Sequence, residues 1–171
     1  MKKLFASAVA AALAVSMTVP AFAAAGNLTA APDKANAKQG DEVNVELKIG
    51  GVSALLAVEG IAGTGGIGSG DFVINYDPAK LTFNEEKVID NDGFDGRDTR
   101  FGQIITDAKD SNGKSIGRIS VQFFDQNARG RDKDFILGKV PFTVNADAAD
   151  GATEVTLGAP SEGPIFVTCG K

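Results

Sequence analysis

From position 43 onward apolar side chains recur at every second residue, in runs too short for helices. Val43, Val45, Leu47 and Ile49 alternate with Asn44, Glu46 and Lys48, the period-2 pattern of a strand that buries one face. Lys38-Gln39-Gly40-Asp41 before it reads as a turn. Phe72, Ile74 and Tyr76 alternate with Asp71, Val73 and Asn75, and Asp77-Pro78 ends that run because proline brings no N–H to a ladder. Leu81 and Phe83 open another short run. Ile116, Ile119, Val121 and Phe123 follow the Asn112-Gly113 turn. Leu137, Val140, Phe142 and Val144 make the next, with Pro141 on the opposite phase and so assigned to an edge or bulge. Val155 with Leu157, and Ile165 with Val167, complete the set. Seven or more short strands divided by turn residues predict an all-β fold, a two-sheet sandwich.

Two segments depart from this rhythm. Residues 50–70 are glycine-rich around an apolar stretch, and read as a long connection with one helical turn or short strand near residues 53–58. Residues 89–106 are polar and acidic, and read as a loop or weak strand over the sandwich. No repeat, low-complexity tail or second domain is apparent.

The first residues follow different rules. Lys2 and Lys3 precede an apolar run over residues 4–19, and Ala21-Phe22-Ala23 after Pro20 has the small-x-small form of a cleavage site. This is the signature of a secretory signal peptide, residues 1–23. The run is shorter than the roughly 20 residues that a membrane span needs. Cleavage after Ala23 leaves 148 of the 171 residues as one domain, residues 24–171, and the loss of two lysines takes the formal charge from −5 to −7. A secreted, acidic domain without a membrane span is expected.

Composition narrows the chemistry. There is no His in the chain, which removes Ser-His-Asp and Cys-His nucleophiles and the common His-containing zinc sites. An enzyme is not expected, nor is a cofactor. Acidic residues outnumber basic ones 22 to 17, against nucleic-acid binding, which needs a concentrated basic surface. A single Cys cannot build an internal disulfide framework.

The order of these pieces resembles a cohesin domain. The resemblance rests on Asp33-Lys34, on Lys38-Gln39-Gly40-Asp41 before an alternating strand, and on Gly51-Val52-Ser53 after it. It rests most sharply on the Asp-Phe-x-x-x-Tyr-Asp-Pro-x-x-Leu stretch from Asp71 to Leu81, followed by the strands over residues 118–124 and 137–144. It covers about residues 27–170. The resemblance implies a jelly-roll sandwich of about nine strands that presents one flat sheet face to a dockerin, a small calcium-loaded helical module of secreted polysaccharide-degrading enzymes. The calcium would belong to the partner, and the pairing would dock such enzymes in a cellulosome-type assembly, outside the cell or at its surface. Carried over position by position, the family's polar contact before the Tyr-Asp-Pro turn falls on Asp71. An often-Asn position falls on Ser69, and an acidic position at the end of the later strand falls near Gln126. Only Asp71 matches in residue type.

Alternation adds to that set. If Phe72, Ile74 and Tyr76 point inward, then Asp71, Val73 and Asn75 lie on the outer face with Ser69. Phe123 and Phe124 are neighbours in a strand and point to opposite faces, so one of them is exposed unless a bulge intervenes. Phe124 is the candidate interface anchor, its alternative being a place beneath a loop. The expected partner-binding set is thus Ser69, Asp71, Val73, Asn75, Phe124 and Gln126.

Other readings compete. Direct binding of polysaccharide by the same sandwich is the second, although the chain has no Trp and its one Tyr, Tyr76, shares the inward phase. A structural or adhesive surface role is the third. The acidic stretch over residues 90–96 fails the spacing of an EF-hand loop, which leaves an irregular calcium site or a solvated loop. Asp77 before Pro78 is explained as a turn residue better than as half of a glycosidase pair with Asp71 or Asp125. Cys169 shares the phase of Ile165 and Val167, which favours a buried thiol over one that links two chains. Asn27-Leu28-Thr29 has the form of a glycosylation sequon.

Overall fold

The computed structural model describes residues 11–14, 27–90, 97–104, 108–125, 130–149, 151–158 and 166–170. The strands in chain order are β1 (Ala11–Ala14), β2 (Asn27–Pro32), β3 (Asn36–Ala37), β4 (Glu42–Gly50), β5 (Gly65–Tyr76), β6 (Leu81–Phe83), β7 (Ile89–Asp90), β8 (Arg97–Ile104), β9 (Ala108–Lys109), β10 (Ser115–Asp125), β11 (Phe135–Val144), β12 (Thr153–Gly158) and β13 (Phe166–Gly170). A seven-residue helix, α1 (Val52–Val58), follows β4.

The strands form two sheets. One runs β3-β1-β12-β5-β10-β8, with β13 also on β5 and β9 on β10. The other runs β2-β4-β11-β6, with β7 on β11. Their pairings are antiparallel apart from β1 with β12. The expected sandwich is therefore the one observed, and β4, β5, β10 and β11 contain the runs that alternation marked.

The core lies between the sheets. Val43, Val45, Leu47 and Ile49 from β4 meet Phe72, Ile74 and Tyr76 from β5, with Ile119, Val121 and Phe123 from β10 and Val140 and Phe142 from β11. The rings of Tyr76 and Phe142 span the gap, 5.1 Å between centroids, and Phe123 meets Phe135 edge-on at 6.1 Å. Each such side chain contributes about 1.5–3 kcal/mol by leaving water. Helix α1 closes one end with Val52, Leu55 and Leu56, and Asp134 Oδ1 accepts the Val52 N–H at 3.1 Å.

Bulges explain where spacing departs from two. The register of β11 on β4 shifts between Ile136 and Gly138, so Leu137 and Val140, three apart, both reach the core. The register of β13 on β5 skips Gly68, which turns Ile67 inward although Phe72 has the opposite parity.

Four readings of the sequence are corrected. Residues 65–70 are not part of a connection but the first half of the twelve-residue β5. Glycine is needed there because a Cβ on Gly66 would collide with the backbone of Gly130 and Arg131, where Ile67 and Arg131 form a bridge. Within residues 89–106, Arg97–Ile104 is a full strand paired with β10, because hydrogen bonding to a neighbour does not require an apolar pattern. Pro141 is at neither an edge nor a bulge; it pairs with Asn44 inside the sheet. Its carbonyl accepts the Asn84 N–H, and its missing N–H faces the same side, at the break between β6 and β7, so no ladder bond is lost. Ile116 lies in β10 as expected, half-buried on the phase of Arg118. Val167 is exposed, not inward, because pairing with Ser69 places it on the outer face. The phase argument for burying Cys169 loses that support, and the Cys169 side chain lies outside the described residues, as does Ile165.

Four residues of the expected leader, Ala11–Ala14, form β1 between β3 and β12, with Leu13 opposite Thr153. Among the described residues no helix is long and apolar enough to cross a membrane.

Candidate partner-binding face

The outer face of the larger sheet is built by cross-strand pairs on β5 and β10. Ser69 pairs with Phe124, Asp71 with Gln122, Val73 with Ser120 and Asn75 with Arg118. Residues directly opposite one another in a ladder share a face, so these eight side chains stand together, opposite the core side occupied by Phe72, Ile74 and Tyr76. On the other side of β5, Val167 pairs with Ser69 and Thr156 with Asn75.

Ser69, Asp71 and Phe124 come together in one shallow depression of 250 Å³, with Gly70, Gln122, Phe123 and Val167 completing its lining. Phe124 is 38% exposed and Val167 55%, while Phe123 is 1% exposed in the core. The neighbouring phenylalanines therefore part to opposite faces, as strand geometry requires. Asp71 is held from one side: Oδ2 accepts from Gln122 Nε2 at 3.3 Å, and Oδ1 is buried without a donor.

The remaining expected residues divide. Asn75 is half-buried on this face and accepts from Arg118 Nε at 2.9 Å. Val73 is corrected: although outside the core cluster, it is only 6% exposed and packs beside its β12 partner Gly158, where a Cβ would meet Val73 Cγ2 at 3.4 Å. It fills the sheet surface instead of presenting an open apolar contact. Gln126 lies outside the described residues. Gln122 and Val167 escaped the sequence reading. Gln122 was legible as the residue two before Phe124 in an alternating strand, whereas the outward turn of Val167 depends on the pairing of β13 with β5.

A larger open cleft, 440 Å³, lies at the end of this sheet between Asp77, Lys80, Lys114, Thr153 and Glu154. Its charges are engaged internally. Lys114 Nζ donates to Asp77 Oδ2 at 2.8 Å, and Lys80 Nζ donates to the Ala152 carbonyl at 2.7 Å. Asp77 Oδ1 accepts the Ala79 N–H, the local capping expected of a turn residue. Burial pushes the Asp77 carboxyl up, but the hydrogen bonds from Lys114 and Ala79, with the charges of Lys114 and Lys80, outweigh it and hold the group below its ordinary value. Tyr76 is 6% exposed in the core, so the single tyrosine offers no platform for stacking a sugar. Among the described residues no three of His, Cys, Asp and Glu gather as a metal site; residues 91–96 lie outside them.

The sequence profile of the cohesin domain matches residues 28–160. The chain belongs to the cohesin family. A solved structure agrees on the fold. A type II cohesin from Acetivibrio cellulolyticus, in a cohesin–X-dockerin complex, is similar with a TM-score of 0.53 at 15% identity, over 84% of each chain. The solution structure of the cohesin CaCohA2 from Clostridium acetobutylicum gives 0.49 at 17% identity, over 86% of this cohesin and 80% of that chain. The seventh ScaB type I cohesin from Pseudobacteroides cellulosolvens gives 0.40 at 15%, over 92% and 96%. No curated protein matches. The β-sandwich of this cohesin is shared with the Acetivibrio cohesin.

Proposed function

We propose that this cohesin is a secreted, non-catalytic module whose outer β5–β10 face binds a calcium-loaded dockerin and so docks a polysaccharide-degrading enzyme in a cellulosome-type assembly. The observation that carries this reading is the pair of exposed apolar side chains, Phe124 and Val167, set on either side of Ser69 and beside Asp71 on a polar sheet surface. Aromatic side chains are enriched at interface centres. Family membership supports the class of partner, as does the dockerin in the complex with the Acetivibrio cohesin. Binding needs no chemistry from this chain, and calcium belongs to the partner. Ser69, Asp71, Asn75 and Phe124 are the contact residues of this proposal, with Gln122 and Val167 added. Calorimetric titration with dockerin modules from secreted enzymes of the same source tests it: binding in calcium that is lost on chelation supports the reading, and no binding by any of them overturns it.

A further inference from the structure

Resting on that reading of the outer face, we infer that the notch between Phe124 and Val167 receives one basic side chain of the partner. Its aliphatic stem lies between the two apolar walls, and its cationic head meets the Asp71 carboxylate.

The width of the notch follows from register. Phe124 on β10 and Val167 on β13 both pair with Ser69 on β5, so their backbones stand two strand spacings apart, about 10 Å. Carbon contacts of about 4 Å on each side leave the width of one unbranched stem. The floor suits it, because Ser69 and Gly70 are small and the depression totals 250 Å³.

The charge at the end of the notch selects the head group. Asp71 Oδ2 has one long hydrogen bond, from Gln122. Oδ1 has been removed from water and has no donor, and among the described residues no Lys or Arg pairs with it. A desolvated carboxylate oxygen without a donor is costly, and a charged donor relieves more of that cost than a neutral one. Rotation of the carboxylate about χ2, a broad torsion, turns an oxygen towards the notch. A short hydroxyl side chain would satisfy the oxygen but leave the Phe124 and Val167 walls uncovered. Lysine and arginine cover both, apolar along the stem and cationic at the tip. The formal charge of −5 on the chain attracts the same partner group.

The test uses small probes first. Nα-acetyl-lysine amide and Nα-acetyl-norleucine amide are titrated into the ¹⁵N-labelled full chain, wild type and Asp71→Asn, after matching unfolding temperatures establish that both fold. The lysine compound is expected to shift the amide resonances of Ser69, Gly70, Asp71 and Phe124 saturably and the norleucine compound far less, with the difference lost in Asp71→Asn. Equal shifts from both compounds, or an unchanged response in Asp71→Asn, overturn the inference. The second arm measures a calcium-loaded dockerin: Asp71→Asn keeps an acceptor but loses the charge, so affinity falls about tenfold and its salt dependence flattens. A dockerin that binds wild type and Asp71→Asn equally leaves the face standing and removes the basic side chain. An Asp71-dependent response to the lysine probe without dockerin binding does the reverse.

Discussion

The ring of Tyr76 lies against the backbone of Gly117, its cross-strand partner, so closely that there is no room for a Cβ at position 117. A glycine in the middle of a strand would ordinarily weaken it. Here its missing side chain lets the aromatic ring cover the neighbouring strand and still reach Phe142 on the opposite sheet.

Gly117→Ala should therefore act as an overpacking substitution. A loss of about 1–3 kcal/mol is expected, seen in urea unfolding as a lower midpoint with an unchanged slope. Partner affinity should hold, because the clash lies on the core side of the sheet. An unchanged midpoint would contradict the packing described.

The Asp77 carboxyl is held below its ordinary value of 3.8 in the folded chain. A depressed folded value means that its contribution is complete above the ordinary carboxylate value and disappears as pH falls through it to the lower folded value. Stability should thus drop below about pH 4, and Asp77→Asn should flatten that part of the curve. Thermal unfolding of both proteins between neutral and acid pH measures it; parallel curves would show that the pair with Lys114 does not act in this way.

Asp134 reaches back across the fold to the first N–H of α1. Asp134→Ala should cost about 1 kcal/mol, the usual value of a capping side chain, and lower the unfolding temperature by about 2–4 °C for a domain of this size. Asp134→Asn should recover most of the loss. An Asn variant no better than Ala would assign the contact no capping role.

Much of the fold was legible because burial of one sheet face imposes a period of two. Val43 to Ile49 and Phe72 to Tyr76 follow that period without interruption, and each became a strand with the predicted side inward. The readings that failed are those in which pairing, not burial, decides the structure. The early glycines of β5 hold their strand through neighbours on both sides, and the orientation of Val167 is set by its place opposite Ser69. The site divides in the same way. Asp71 and Phe124 were visible from alternation within one strand, but the notch between Phe124 and Val167 exists only because β10 and β13 flank the same strand. Val73 had the correct face and the wrong exposure, since its neighbour across the ladder is Gly158, a fact of register that alternation does not contain.

The most direct test of the proposed binding face is the affinity of a calcium-loaded dockerin for the wild-type chain and for Phe124→Ala combined with Val167→Ala, measured by calorimetry at equal stability. Loss of two anchors of about 2 kcal/mol each predicts affinity at least a hundredfold weaker in the double variant, with the unfolding temperature nearly unchanged. Equal binding by the two proteins would place the interface elsewhere on the sandwich.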